Sequence, residues 1–111
     1  MSKKYIYDNV NITRVIDGDT VEAMVDLGFD VWKIMKLRLH GINAPELKDN
    51  DLEIRKKAYI SKEYLEKLIL NKYVKIESFG PDKYGRILAT IYDGDCSIND
   101  LMIKNNMAVL I

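Results

Sequence analysis

Apolar and polar residues alternate along the first part of the chain. Val10, Ile12, Arg14 and Ile16 alternate with Asn11, Thr13 and Val15, which predicts a strand running into a turn at Asp17-Gly18-Asp19. Val21, Ala23, Val25 and Leu27 then share one face, with Glu22, Met24 and Asp26 on the other. Gly28 closes this second strand. A third runs from Val31 to Leu39, and its phase blurs around Ile34-Met35, where a bulge is expected.

The period then changes. Ile54, Ala58, Leu65, Leu68 and Ile69 recur at multiples of three and four, the stripe of an amphipathic helix. Asn50 followed by Glu53 predicts a capping box, and Asn71 a stop. Glu53–Lys57 and Glu63–Lys67 are i,i+4 pairs worth only ~0.2–0.5 kcal/mol each. Two further strands follow, carried by Val74 and Ile76 and by Ile87, Ala89 and Ile91, with a tight turn at Asp93-Gly94. Ser97 and Asp100 open a short helix that carries Ile98, Leu101 and Met102 inward. Five strands with a helix between the third and fourth predict a mainly β, α+β fold: an OB-type Greek-key barrel with a short C-terminal helix. Closure would remove the exposed edges that a small sheet must otherwise protect.

Composition narrows the picture. The 111 residues, 48% of them hydrophobic, suffice for one core, so a single domain over residues 1–111 is expected. Pro45 and Pro81 sit in predicted loops, and no linker divides the chain. Lys and Arg number 17 against 17 Asp and Glu, so any phosphate binding must come from a local cluster. Cys96 is the only cysteine and His40 the only histidine. An internal disulfide, a Cys-based zinc site and a multi-histidine metal site are thereby excluded. No apolar run approaches the ~20 residues of a membrane span. The N-terminal residues as written carry no apolar leader, so a cytoplasmic or phage-encoded intracellular product is expected, with secretion left open.

Three segments at strand ends concentrate polar chemistry. Asp17-Gly18-Asp19-Thr20 sets two carboxylates around a glycine. Such hard oxygens suit Ca²⁺ or Mg²⁺, and equally a plain polar turn. Arg38 through Glu46 offers a guanidinium on a strand, then the amide of Asn43 and the carboxylate of Glu46. Arg38 could clasp a phosphate through two hydrogen bonds and Glu46 could take a proton from water. An outward Arg with an ordinary surface Glu would look the same. Pro81-Asp82-Lys83-Tyr84-Gly85-Arg86 adds an ammonium, a phenol and a second guanidinium, a set that suits a phosphodiester or merely a charged loop. No segment decides the matter alone.

In order and spacing, however, Val15-Ile16-Asp17-Gly18-Asp19-Thr20-Val21, then Leu37-Arg38-Leu39 through Ala44-Pro45-Glu46, then Asp82-Lys83-Tyr84-Gly85-Arg86 together resemble the staphylococcal nuclease (thermonuclease) family. The resemblance runs from about Asn11 to the C-terminus. It implies an OB-type barrel and a Ca²⁺-dependent nuclease that hydrolyses phosphodiester bonds of DNA and/or RNA with little sequence specificity. Carried over by position, Asp19, Asn43 and the Ala44 carbonyl would hold the metal, with Asp17 and Thr20 supporting them. Arg38 and Arg86 would grip the scissile phosphate, Glu46 would act as general base, and Lys83 and Tyr84 would contact a neighbouring phosphate. No membrane and no obligate protein partner is implied.

Two departures bear on this. The family usually has an aspartate where this chain has Asn43, which predicts weaker metal binding because calcium affinity follows ligand charge. Longer members continue beyond the position of Ile111 with tyrosines near the base, so this chain is expected to be a C-terminally truncated member with weaker substrate binding. That platform is then missing or comes from elsewhere, such as Trp32 or another Tyr. A second reading stays open: a catalytically weak or inactive nuclease-like module that binds nucleic acid or protein. Arg38, Glu46 and Arg86 favour the enzyme, and Asn43 favours the module.

Overall fold

The computed structural model describes residues 4–111, so the reading of Met1 to Lys3 as part of a leaderless N-terminus lies outside it. The strands are β1 (Tyr5–Asp17), β2 (Thr20–Asp26), β3 (Trp32–Leu39), β4 (Ile42–Asn43), β5 (Tyr73–Pro81), β6 (Ile87–Asp93), β7 (Cys96–Ser97) and β8 (Val109–Leu110), with helices α1 (Leu52–Ile69) and α2 (Ile98–Lys104). The sheet runs β3-β2-β1-β5-β6-β7. A parallel pairing of Leu37–Leu39 with Ile87–Ala89 joins β3 to β6 and closes a five-stranded mixed barrel. The α+β barrel expected from the sequence is therefore present. The strands β4 and β8 form a separate small ladder outside it.

The barrel closes around Val10, Ile12, Val21, Ala23, Leu37, Leu39, Ile76, Ala89 and Ile91, all at most 1% exposed. Burying one such branched side chain is worth ~1.5–3 kcal/mol. Leu65 and Ile69 of α1 and Ile98 and Met102 of α2 are buried in the same core. The charged face of α1 contributes far less. Glu53 pairs at 3.7 Å with Lys56, not Lys57, and both side chains are more than half exposed. Neither expected i,i+4 pair forms among the described residues.

Several local expectations shift. The N-cap of α1 is Asp51, whose carboxylate accepts from the Glu53 N–H at 2.9 Å, in place of Asn50. Asn71 does end the helix, at a left-handed φ of 61°. The expected bulge at Ile34-Met35 is absent, because β3 pairs with β2 without a slip from Thr20↔Arg38 to Asp26↔Trp32. Irregularities fall instead in β1, between Ile12 and Arg14 and between Val15 and Asp17. They move Val15, not Arg14, into the core, which simple alternation did not foresee. Pro81 ends β5 rather than lying in a loop. Among the described residues, no helix is long and apolar enough to cross a membrane.

Asn99 ties α2 to the barrel. Its Oδ1 accepts from the Ile91 N–H at 3.1 Å, and its Nδ2 donates to the His40 and Ala89 carbonyls at 3.0 and 3.1 Å. A buried amide with these bonds made is stabilising, whereas orphaning its partners costs ~1–3 kcal/mol for each group left unsatisfied. His40 itself is exposed, with its ring 4.7 Å from that of Phe79.

Candidate active site

The turn between β1 and β2 brings Asp17 and Asp19 to one end of the barrel. Gly18 is there for close approach, not for an unusual backbone angle, since it is not among the positive-φ glycines. A Cβ at this position would lie 2.7 Å from the Ala44 Cβ and 2.8 Å from the Ser61 Cβ. The loop is thus clamped between the segment after β4 and the helix α1. Ser61, 2% exposed, donates its hydroxyl to the Met107 carbonyl and so fixes the wall of the clamp.

Asp19 is almost buried and fully engaged. Its Oδ1 accepts from the Thr20 hydroxyl at 3.0 Å and its Oδ2 from the Ala44 N–H at 2.8 Å. Asp17 Oδ1 accepts from the Asp19 N–H at 3.0 Å. Burial, and then the neighbouring Asp19 carboxylate, push the Asp17 pKa up to about 6. Arg38 answers part of this negative charge. Its Nη2 lies 3.5 Å from Asp19 Oδ2 and donates to Asn43 Oδ1, while its Nη1 donates to the Leu39 carbonyl at 3.0 Å. The structure therefore gathers Asp17, Asp19, Thr20, Arg38, Asn43 and Ala44 into one cluster.

The second arginine is held differently. Asp82 accepts from the Tyr84 and Arg86 N–H groups at 2.8 and 2.9 Å, and its Oδ2 accepts from Arg86 Nε at 2.8 Å. Desolvation pushes the Asp82 carboxyl up, but those hydrogen bonds and the Arg86 charge outweigh it and leave the pKa below its ordinary value. The Arg86 guanidinium stacks over the Tyr84 ring at 5.2 Å, and Lys83 Nζ lies 5.3 Å from the same ring. With Nε occupied, both terminal nitrogens of Arg86 remain available to a ligand.

An open cleft of about 490 Å³ is lined by Lys36, Glu46, Tyr84 and Arg86. Glu46 is exposed and forms no ion pair among the described residues. Glu46 and Arg86 thus share a cleft, while Arg38 lines an adjoining depression with Asp82. The parallel β3–β6 register explains the proximity: Leu37 pairs with Ile87, so Lys36 and Arg86 are neighbours, with Arg38 two positions along β3. Lys36 was missed in the sequence. Its signal was period-two alternation backwards from Arg38. Asp82 was noted only as part of a motif, and its hold on Arg86 is an i,i+4 pair in a loop, invisible without coordinates.

Among the described residues, no group of three or more His, Cys, Asp or Glu side chains is placed to share a metal ion. The oxygens present are those of Asp17, Asp19, Asn43 and the backbone around Ala44. By type they fit a hard divalent cation, and the Asp19 charge, which after burial is what raises the Asp17 pKa, is what a cation would offset. The set is poor in charge, and Arg38 occupies the carboxylate and the amide that such an ion would use.

The family model described as staphylococcal nuclease homologue matches residues 36–111. An uncharacterized endonuclease of Escherichia coli is 34% identical over 98 residues, covering 87% of this chain and 57% of that protein. The thermonuclease of Staphylococcus intermedius is 31% identical over 99 residues, covering 87% of this chain and 56% of its own length. Protein ParB of Escherichia coli is 30% identical over 81 residues, 73% of this chain and 40% of that protein. The chain spans about half the length of the curated relatives it matches. With its closed five-stranded barrel and more than half its length matched, this chain belongs to the staphylococcal nuclease homologue family.

Proposed function

We propose that the chain is a nuclease that hydrolyses phosphodiester bonds of DNA and/or RNA, assisted by a divalent cation, Ca²⁺ by family resemblance. One observation carries the reading: a carboxylate, Glu46, and a guanidinium, Arg86, line the same open cleft, and among the described residues the first is unpaired and the second has both terminal nitrogens unused. The endonuclease and thermonuclease names of the relatives support it.

In this mechanism Arg86 binds two non-bridging oxygens of the phosphate, and Asp82 fixes its orientation. Negative charge on those oxygens grows as water attacks, so the fixed guanidinium stabilises the transition state more than the ground state. Glu46 accepts the proton of the attacking water. The water oxygen bonds to phosphorus, the bond to one ester oxygen breaks, and the departing alkoxide takes a proton from solvent water, leaving a phosphomonoester and an alcohol. Proton transfer of this kind contributes ~10²–10⁴-fold. Asp19, Asn43 and the Ala44 carbonyl would hold the cation, with Asp17 and Thr20 behind them. When bound, the ion supplies further charge stabilisation and lowers the pKa of its water. Arg38 reaches a phosphate by exchanging its bond to the neutral Asn43. Lys83 and Tyr84 border the flanking phosphate.

The alternative is a module that binds without cutting. It is favoured by Arg38, whose terminal nitrogens are both engaged, and by the missing charge at Asn43. Plasmid nicking and single-strand digestion with Ca²⁺, Mg²⁺, Mn²⁺ or chelator separate the two. Metal-dependent cleavage that disappears in Glu46→Gln and Arg86→Ala supports the nuclease. Binding that never leads to turnover and ignores Glu46→Gln supports the module.

A further inference from the structure

The outward side of β3 carries a row that starts at the site and runs on beyond it. Trp32, Ile34, Lys36 and Arg38 alternate with Lys33, Met35, Leu37 and Leu39, and the last two are buried in the core. The first four therefore face outward together. Lys36 lines the cleft with Glu46 and Arg86. From there the row leads away from the site to Ile34, 61% exposed, and Trp32, 43% exposed. At ~3.3 Å per residue, Lys36 and Trp32 stand about 13 Å apart along the strand, more than a single nucleotide spans. Only residues 37–39 of β3 pair with β6, so this outer half has no strand on that side among the described residues.

The charges along the row decide what it fits. Lys36 forms no ion pair among the described residues, although Glu22 is its cross-strand neighbour. Glu22 lies 3.7 Å from Arg14 instead. Asp26, opposite Trp32, accepts from the Gly28 N–H and from the Asn9 amide. Both acids have other partners, and Lys36 has none. An unpaired ammonium beside the cleft followed by an exposed indole matches a nucleic-acid strand, whose phosphates and base faces recur in that way. A duplex would hide its base faces from the indole.

We infer that the Trp32–Ile34–Lys36 row is a flanking-strand subsite: Lys36 contacts the backbone of the strand where it leaves the cleft, and Trp32 stacks on an unpaired base farther along the same single strand. This deepens the nuclease reading and rests on it.

Trp32 is the only tryptophan, so its emission reports the contact directly. The test uses Glu46→Gln protein, to prevent cleavage, with a dinucleotide and with a single-stranded oligonucleotide of ~12 nucleotides, within the ~4–16 that an OB fold covers. The oligonucleotide should quench the emission and the dinucleotide should not. Trp32→Ala should weaken oligonucleotide binding about 5- to 100-fold, followed by anisotropy, and leave the dinucleotide unaffected. Trp32→Phe should restore most of the loss. Lys36→Ala should lower the slope of log affinity against log salt by about one. Unquenched emission with tight oligonucleotide binding, or full affinity in Trp32→Ala, overturns the subsite while leaving the cleft intact. If neither ligand binds, in wild type or variant, the nuclease reading itself fails. Emission that changes with protein concentration alone marks an interface between copies and refutes the inference.

Discussion

At the acid end of the candidate site, the Asp19 residue is 8% exposed and its carboxylate is spoken for by Thr20, Ala44 and Arg38. At the basic end, Tyr84 is 71% exposed and the Arg86 side chain is oriented by a single carboxylate, that of Asp82. The acid end is held by core packing and by bonds that also hold the fold, from the Gly18 clamp to the backbone N–H of Ala44. The basic end is a surface loop organised by its own residues. Substitutions in the first should mix stability with function, and substitutions in the second should separate them.

Gly18→Ala tests the first half most severely. A methyl group at 2.7–2.8 Å from two carbon atoms forces the β1–β2 turn away from Ala44 and Ser61. Overpacking of this kind costs ~1–3 kcal/mol. That corresponds to a drop in Tm of roughly 4–8 °C per kcal/mol at about this size. Activity should fall too, because Asp19 moves with the turn. Unchanged Tm in thermal denaturation would show that the clamp is loose.

Asp82→Ala tests the second half. The folded barrel should lose less Tm than in Gly18→Ala, since the bonds that Asp82 makes stay within its own loop. Arg86 would lose its anchor, and kcat/KM for strand cleavage should fall ~10-fold, equivalent to about 1.4 kcal/mol. A large stability loss with intact activity would reverse the comparison. Asn43→Asp acts between the two ends. One more charge near the cation should tighten Ca²⁺ binding by about 1 kcal/mol, or ~5-fold, by calorimetry. Equal affinities would show that Arg38 absorbs the added charge.

The contrast also explains what could be read in advance. The barrel was legible because burial imposes alternation where a strand has the core on one side, as with Val21, Ala23 and Val25. It failed where that constraint lapses. The first residues of β1, Tyr5 to Asn9, are largely exposed and were not read as strand. The outer half of β3 suggested a bulge because Trp32 to Ile34 are exposed and no burial enforces a phase. Charged residues at strand ends could be located, since spacing gives position. Their partners could not. Arg38 meets Asp19 only because β2 and β3 pair in one register, and Lys36 meets Arg86 only because β3 and β6 do. The two-residue strands β4 and β8 are too short to carry any pattern.

The finest test concerns Asp17, where the effect is read from its dependence on pH and not from its size. Its pKa is raised from 3.8 to about 6, by burial first and by Asp19 second. An acid whose pKa rises on folding opposes folding when ionised. Below pH 3.8 both states carry the proton and Asp17 contributes nothing. From 3.8 to about 6 the unfolded chain ionises while the folded chain holds its proton, so stability declines with rising pH. Above about 6 both states are ionised and the penalty is constant. Asp17→Asn keeps an acceptor for the Asp19 N–H and never ionises. In chelator, its Tm advantage over wild type should therefore be absent near pH 3.5, grow up to pH 6 and stay level at pH 8. Added Ca²⁺ should shrink the advantage, because a cation held at Asp19 would offset the negative charge that Asp17 meets there. An advantage independent of pH would mean that Asp17 and Asp19 do not share one electrostatic environment, and the acid end would lose its claim to a metal.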